Sequence, residues 1–143
     1  MKISTKGRYA LRLMLDIAIQ GPGQPVPLRD VAQRQGISDK YLEQIVTQLS
    51  RAGLVRSVRG AGGGYLLTRK PEQYTVGEIL RALEGSLAPV ACAEEGCTCE
   101  HIDQCVTVEV WTQIREAVNS VVDGITLADL VKRYHEKCRG QDT

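Results

Sequence analysis

The sequence predicts a mainly α-helical fold with a small β-hairpin wing: a winged helix-turn-helix joined to a long dimerisation helix. Three observations predict it. Apolar residues recur at helical spacing in three short segments ahead of Gly53. Two short strand-like runs then flank a glycine-rich tip, the mark of a hairpin. A long apolar stripe resumes after Cys105, past a connector with no periodicity.

The first helix spans Thr5 to Gln20. Tyr9, Leu13 and Ile17, with Leu11, Leu15 and Ala18, recur at its spacing, and Ser4 or Thr5 caps it. Gly21-Pro22-Gly23-Gln24-Pro25 breaks it. A short helix runs from Leu28 to about Gln35 and ends at Gly36, a residue that tolerates positive φ. Ser38 caps a third helix to about Ala52, with Leu42, Ile45, Val46 and Leu49 as its apolar face. Val55 and Ser57-Val58 form one strand and Tyr65 to Thr68 the other, around the tip Arg59-Gly60-Ala61-Gly62-Gly63-Gly64. A fourth helix spans about Val76 to Leu83, ahead of Gly85. Val106, Val110, Ile114, Ala117, Val118 and Val121 stripe a long helix that ends at Gly124. Thr126 caps the last helix, to about Lys137. The domain division is 1–84 for the winged helix, 85–105 for a cysteine-rich loop, and 106–143 for the dimerisation and C-terminal helices.

Charge is unevenly spread. Residues 1–70 carry 12 Lys/Arg against 4 Asp/Glu, and residues 71–143 carry 6 against 13. Balances of +8 and −7 sum to the overall +1. A basic half beside an acidic half fits a nucleic-acid module joined to a sensing or assembly module. No apolar run approaches the roughly 20 residues of a membrane span. The start has no secretory apolar core, so a cytoplasmic location is expected. Thiols stay mostly reduced there, so five cysteines point to metal or redox chemistry before structural disulfides.

The segment Leu28 to Leu49 carries the DNA-reading chemistry. Val31 and Ala32 face inward, Gly36 makes the turn and Ile37 plugs the core behind it. The helix after Ser38 would enter the major groove of double-stranded DNA, N-terminal end first. Its exposed early residues are Ser38, Asp39, Lys40, Tyr41, Glu43 and Gln44. Gln44 suits adenine edges and Glu43 suits the cytosine amino group. Ser38 and Tyr41 suit phosphates. At the wing, Gly60 and its neighbours permit close backbone approach, and Arg59 suits a narrow minor groove.

The cysteines stand at positions 92, 97, 99, 105 and 138. The first four crowd one polar loop, and such a loop can wrap thiolates around an iron–sulfur cluster. A helix beginning at Cys105 adds a dipole that favours anionic sulfur. Zinc is second choice, because paired C-x2-C spacings are missing. A reversible disulfide sensor is third, and idle reduced thiols are the bland reading. Cys138 is assigned no role, and His135 is read as a surface residue. A small redox or metal enzyme is the competing class. No Cys-His-Asp arrangement, phosphate loop or metal-hydrolase helix supports it, and no enzymatic activity is expected.

Lys2-Ile-Ser-Thr-Lys-Gly-Arg-Tyr-Ala10, Ile37-Ser through Tyr41-Leu-Glu-Gln44, and Val58-Arg-Gly-Ala-Gly-Gly-Gly-Tyr-Leu66 together resemble the Rrf-two family of bacterial winged-helix regulators. The resemblance extends to about Leu130, and the cysteine loop is similar to that of its iron–sulfur members. It implies a homodimer joined through the helix from about Val106 to Gly124, binding a palindromic promoter site. It implies a [2Fe–2S] cluster held by Cys92, Cys99 and Cys105, and repression of cluster-assembly genes. It also implies DNA contacts at the positions of Ser38, Tyr41, Gln44 and Arg59, with Glu43 discriminating between site classes.

The ligand pattern departs from that family. Its iron–sulfur members place five residues in each gap between three cysteines, then a His three residues on. Here Cys92 to Cys99 encloses six residues, and the position three after Cys105 is Val108. Cys97, His101 and Glu109 are candidates for the fourth ligand. The family also holds cysteine-metabolism regulators, which share the Glu84-Gly85-Ser86-Leu87-Ala88-Pro89-Val90 turn but lack the cysteine cluster, and nitric-oxide-responsive relatives with a similar loop.

Overall fold

A computed structural model describes residues 2–141. Six α-helices and one hairpin follow in the order α1 (Thr5–Gln20), α2 (Leu28–Gln35), α3 (Asp39–Arg51), β1 (Val55–Val58), β2 (Gly64–Leu67), α4 (Val76–Glu84), α5 (Val106–Asp123) and α6 (Leu127–Gln141). Most helix starts have a local cause. Ser4 accepts from the amide of Gly7, Ser38 from Tyr41 and Thr75 from Glu78, each satisfying a donor the helix leaves free. Thr126 and Asp129 bond each other reciprocally at the start of α6. Gly36 sits at φ 65°, ψ 36°, the left-handed turn that lets α2 and α3 follow so closely.

The core forms where α1, α3 and α4 meet. Leu13, Met14, Ile17, Leu42, Ile45, Leu49, Leu54, Ile79 and Leu127 are all buried there. Leu127 ties the C-terminal helix into this same core, and Leu130 and Val131 pack beside it. A short bridge between Thr75 and Thr126 stitches the starts of α4 and α6 together. In it Val76 donates to Ile125 at 2.9 Å and Leu127 to Tyr74 at 3.0 Å.

The hairpin pairs Val55 with Leu67 through Val58 with Gly64, antiparallel. It is seated on the body by a bridge from Tyr65 to Val26, with bonds of 2.9 and 3.0 Å in the two directions. The backbones approach so closely that a Cβ on Gly64 would overlap the carbonyl carbon and oxygen of Val26. The base of the hairpin hangs on Tyr74, which is fully buried. Its hydroxyl donates to the carbonyl of Leu54 at 2.8 Å and accepts from the amides of Thr68 and Arg69. Tyr74→Phe leaves the buried Leu54 carbonyl and the part-buried Thr68 and Arg69 amides without this partner, and urea denaturation should show a loss of about 2 kcal/mol.

α5 has no fully buried residue. Val118 and Val122 pack on a small cluster of Val76, Leu80 and Leu87, while Val106, Val110 and Val121 are 73%, 49% and 60% exposed. The stripe read from sequence therefore divides. Val118 turns inward, joined by Val122, because α4 covers only one flank of the helix. No helix among the described residues is long and apolar enough to cross a membrane.

Candidate nucleic-acid interface and cysteine loop

The apolar face of α3 is buried, which leaves the opposite face to solvent. Ser38, Lys40, Glu43 and Gln44 are exposed, and Tyr41 is half-buried. Lys40, Glu43 and Gln44 lie along one open groove of about 440 Å³, shared with Thr47, Gln48, Arg51 and Lys6 of α1. Ser38 uses an oxygen lone pair for its cap, and its O–H stays available to donate outward. The ring of Tyr41 packs edge-on against Tyr9 at 5.7 Å. Arg59 and Gly60 stand exposed at the wing tip, apart from that groove's lining.

The position of α2 against α1 depends on Asp16, a residue that helical periodicity does not single out. It is only 4% exposed and lies on the buried side of α1. Arg34 binds it in bidentate fashion, Nη2 to Oδ1 at 2.7 Å and Nε to Oδ2 at 3.1 Å, and Gln35 donates to it at 2.9 Å. Arg12 completes the ring by donating to the side chain and carbonyl of Gln35. A lone carboxylate between Leu13 and Ile17 on an apolar stripe is the signal that could have found it, since a buried charge needs a partner.

A second clamp joins α4 to α5. Arg81 donates to Asp123 at 2.6 and 2.9 Å and to Asn119 at 2.7 Å. The guanidinium holds the Asp123 carboxyl below its ordinary range, chiefly by hydrogen bonding. Both side chains are at least a third exposed, so the pair contributes less than about 1 kcal/mol. A depressed aspartate stabilises the fold above its ordinary titration range and stops doing so as pH falls through the lowered value. The melting temperature of the wild type should therefore exceed that of Asp123→Asn slightly at neutral pH. The two should converge in acid below the usual aspartate range.

The connector between α4 and α5 is anchored at two points. Leu87 and Ala93 are buried, and Arg115 of α5 donates to the carbonyl of Ala93 at 2.7 Å. Short 3-10 turns at Ala91–Ala93 and Ile102–Gln104 give it local form. Cys92, Cys97 and Cys105 are half-buried and Cys99 is exposed, all as free thiols. Cys105 stands just before α5, where the Thr107 hydroxyl lies 3.2 Å from its sulfur. That hydroxyl, and then the amide of Val108, lower its pKa from the ordinary thiol value. His101 and Glu109 are exposed. Among the described residues no three Cys, His, Asp or Glu side chains gather closely enough to hold a metal ion. The donor set still fits a thiolate-bound cluster by its chemistry: soft sulfur ligands share one short connector, and the pKa of one of them, Cys105, is lowered.

The Rrf2 family profile, described as an iron-dependent transcriptional regulator, matches residues 3–133. The Rrf2 protein of Nitratidesulfovibrio vulgaris is 45% identical over 132 residues, 92% of this chain and 88% of that one. The solved structure of the T. potens regulator IscR superposes with a TM-score of 0.78 at 43% identity, over 96% of this chain and 90% of that one. The structure of CymR, described as the global cysteine regulator of B. subtilis, superposes with a TM-score of 0.77 at 44% identity, over 93% and 98%.

Proposed function

The chain belongs to the Rrf2 family of transcription regulators, and from that membership we propose a homodimeric repressor of iron–sulfur cluster assembly genes that senses cluster supply through its own thiols. The observation that carries this reading is the crowding of Cys92, Cys97, Cys99 and Cys105 into one connector, with Cys105 at the head of α5 beside the Thr107 hydroxyl, which lowers its pKa. Cys92, Cys99 and Cys105 would hold a [2Fe–2S] cluster, with Cys97, His101 or Glu109 as fourth ligand. When bound, the cluster supplies a redox-active centre whose presence reports iron and sulfur supply.

The chain's own residues supply the DNA grip. Ser38 and Tyr41 donate to phosphates at the start of α3, and Lys40 neutralises one. Gln44 reads adenine edges and Glu43 the cytosine amino group. Arg59 enters the minor groove, with Gly60 letting the wing backbone come close. Two such units on a palindromic promoter site read successive half-sites, about one helical turn apart. The exposed valines of α5 are the surface on which the two chains meet. A cytoplasmic location follows from this role.

A second reading, a cysteine-metabolism regulator, draws on the match to CymR and on thiols that are not gathered in space. Anaerobic purification with visible spectroscopy and iron and sulfide analysis separates the two. Coloured protein with iron and sulfide in equal amounts is expected, and colourless iron-free protein from oxygen-free cells overturns the cluster reading. For Arg59→Ala the expected result is weaker binding across many sequences, by roughly tenfold per half-site. Unchanged affinity would remove the wing from the interface.

A further inference from the structure

Some arginine side chains of this chain are held by partners within the fold, while other cations are left to solvent. Arg34, Arg69 and Arg81 are tied to carboxylates within the fold, and Arg115 to the carbonyl of Ala93. The side chains of Lys6, Lys40 and Arg51 make no hydrogen bond or ion pair among the described residues, and all three line the groove on the outer face of α3. Unpartnered cations brought together from two helices repel one another, and the fold has left them uncompensated. The one carboxylate in that groove, Glu43, forms no ion pair with any of them.

The spacing adds to this. Lys40, Gln44, Thr47 and Arg51 recur at i, i+4, i+7 and i+11, a single face of α3 opposite the buried leucines. From residue 40 to residue 51 a helix rises about 16 Å. The major groove is about 12 Å wide. A helix laid in it by this face would bring the cations at its two ends against phosphates of the groove walls. Entry by the first turns alone would engage this face only as far as Gln44.

Resting on the duplex-DNA reading above, we infer that Lys6 and Arg51 are phosphate-anchoring residues, so that α3 is held on DNA along its whole length. Neither recognises a base, so both act on every sequence alike. The test is fluorescence anisotropy of the full chain on a random-sequence duplex across a salt series, for the wild type, Lys6→Ala/Arg51→Ala and Lys6→Arg/Arg51→Lys. The alanine pair should flatten the plot of log affinity against log salt by about 0.9 for each phosphate left without its cation in each protomer. The cation-preserving pair should restore the slope. Preference for the chain's own promoter over the random duplex should be unchanged in both.

A control is Lys132→Ala on α6, which should keep the wild-type slope. The inference falls if the alanine pair keeps the wild-type slope, or if Lys132→Ala flattens it as much. If the alanine pair behaves as wild type while Arg59→Ala weakens binding, only this inference fails and the DNA reading stands. If the wild type shows no salt-dependent duplex binding, both fall together. Arg51 is exposed and Lys6 half-buried, and thermal melting followed by circular dichroism checks that each variant is folded.

Discussion

Cys99→Ala is expected to yield colourless, iron-free protein from anaerobic cells, and Cys92→Ala and Cys105→Ala the same. Each removes one sulfur from the proposed ligand set, which comes from one connector, and no histidine follows Cys105 at ligand spacing to replace it. The effect should be near-total loss of iron and sulfide per chain, read by visible absorption and elemental analysis. Folding should survive, because Cys99 is exposed and neither Cys92 nor Cys105 belongs to either apolar cluster. Cys138→Ala should keep its iron. Cys97→Ala discriminates among the candidates for the fourth ligand, since loss of iron there selects Cys97 over His101 and Glu109. Retained iron in all three principal variants would refute the ligand assignment.

Gly64→Val is expected to unseat the wing. The added side chain would drive into the backbone of Val26 and Pro27, which cannot yield as a flexible side chain could. Overpacking of this kind costs roughly 1–3 kcal/mol. The two bonds between Val26 and Tyr65 break with it, at roughly 1 kcal/mol each. A total destabilisation of roughly 3–5 kcal/mol is expected by urea denaturation. DNA affinity should fall by at least the amount expected for Arg59→Ala, since the arginine's platform moves as a whole. Wild-type stability in this variant would show that the hairpin does not depend on its seat.

The helix-turn-helix was legible because its signals are local. Ser38 caps where it should, Gly36 takes the left-handed turn, and Leu42, Ile45, Val46 and Leu49 fall on one buried face. The hairpin strands lie within a residue of their expected bounds for the same reason. Less was legible where packing joins distant segments. Tyr74 carries no periodic signal, yet it closes the base of the wing through Leu54, twenty residues away. The docking of Leu127 into the first core could not be read from α6, whose pattern says only that one face is apolar. α5 shows the same limit in another form. A stripe of valines reports a buried face but not what buries it, and here α4 takes one flank while the other stays open. At the candidate site, the solvent exposure of the first turns of α3 was legible residue by residue. That Lys6 and Arg51 line the same groove was not, because Lys6 comes from another helix and Arg51 from the far end of the same one.

The bond from Arg115 to the carbonyl of Ala93 turns the connector into a leash tied at both ends. The stretch from Glu94 to Gln104 cannot sweep out the volume of a free tail, so much of the entropy lost in drawing its sulfurs together is removed when the chain folds. The penalty for a loop of this kind grows only with the logarithm of its length. Six residues between Cys92 and Cys99 in place of five therefore add only about 0.2 kcal/mol. A lengthened spacing is thus a change in reach far more than in strength, so long as the two knots hold.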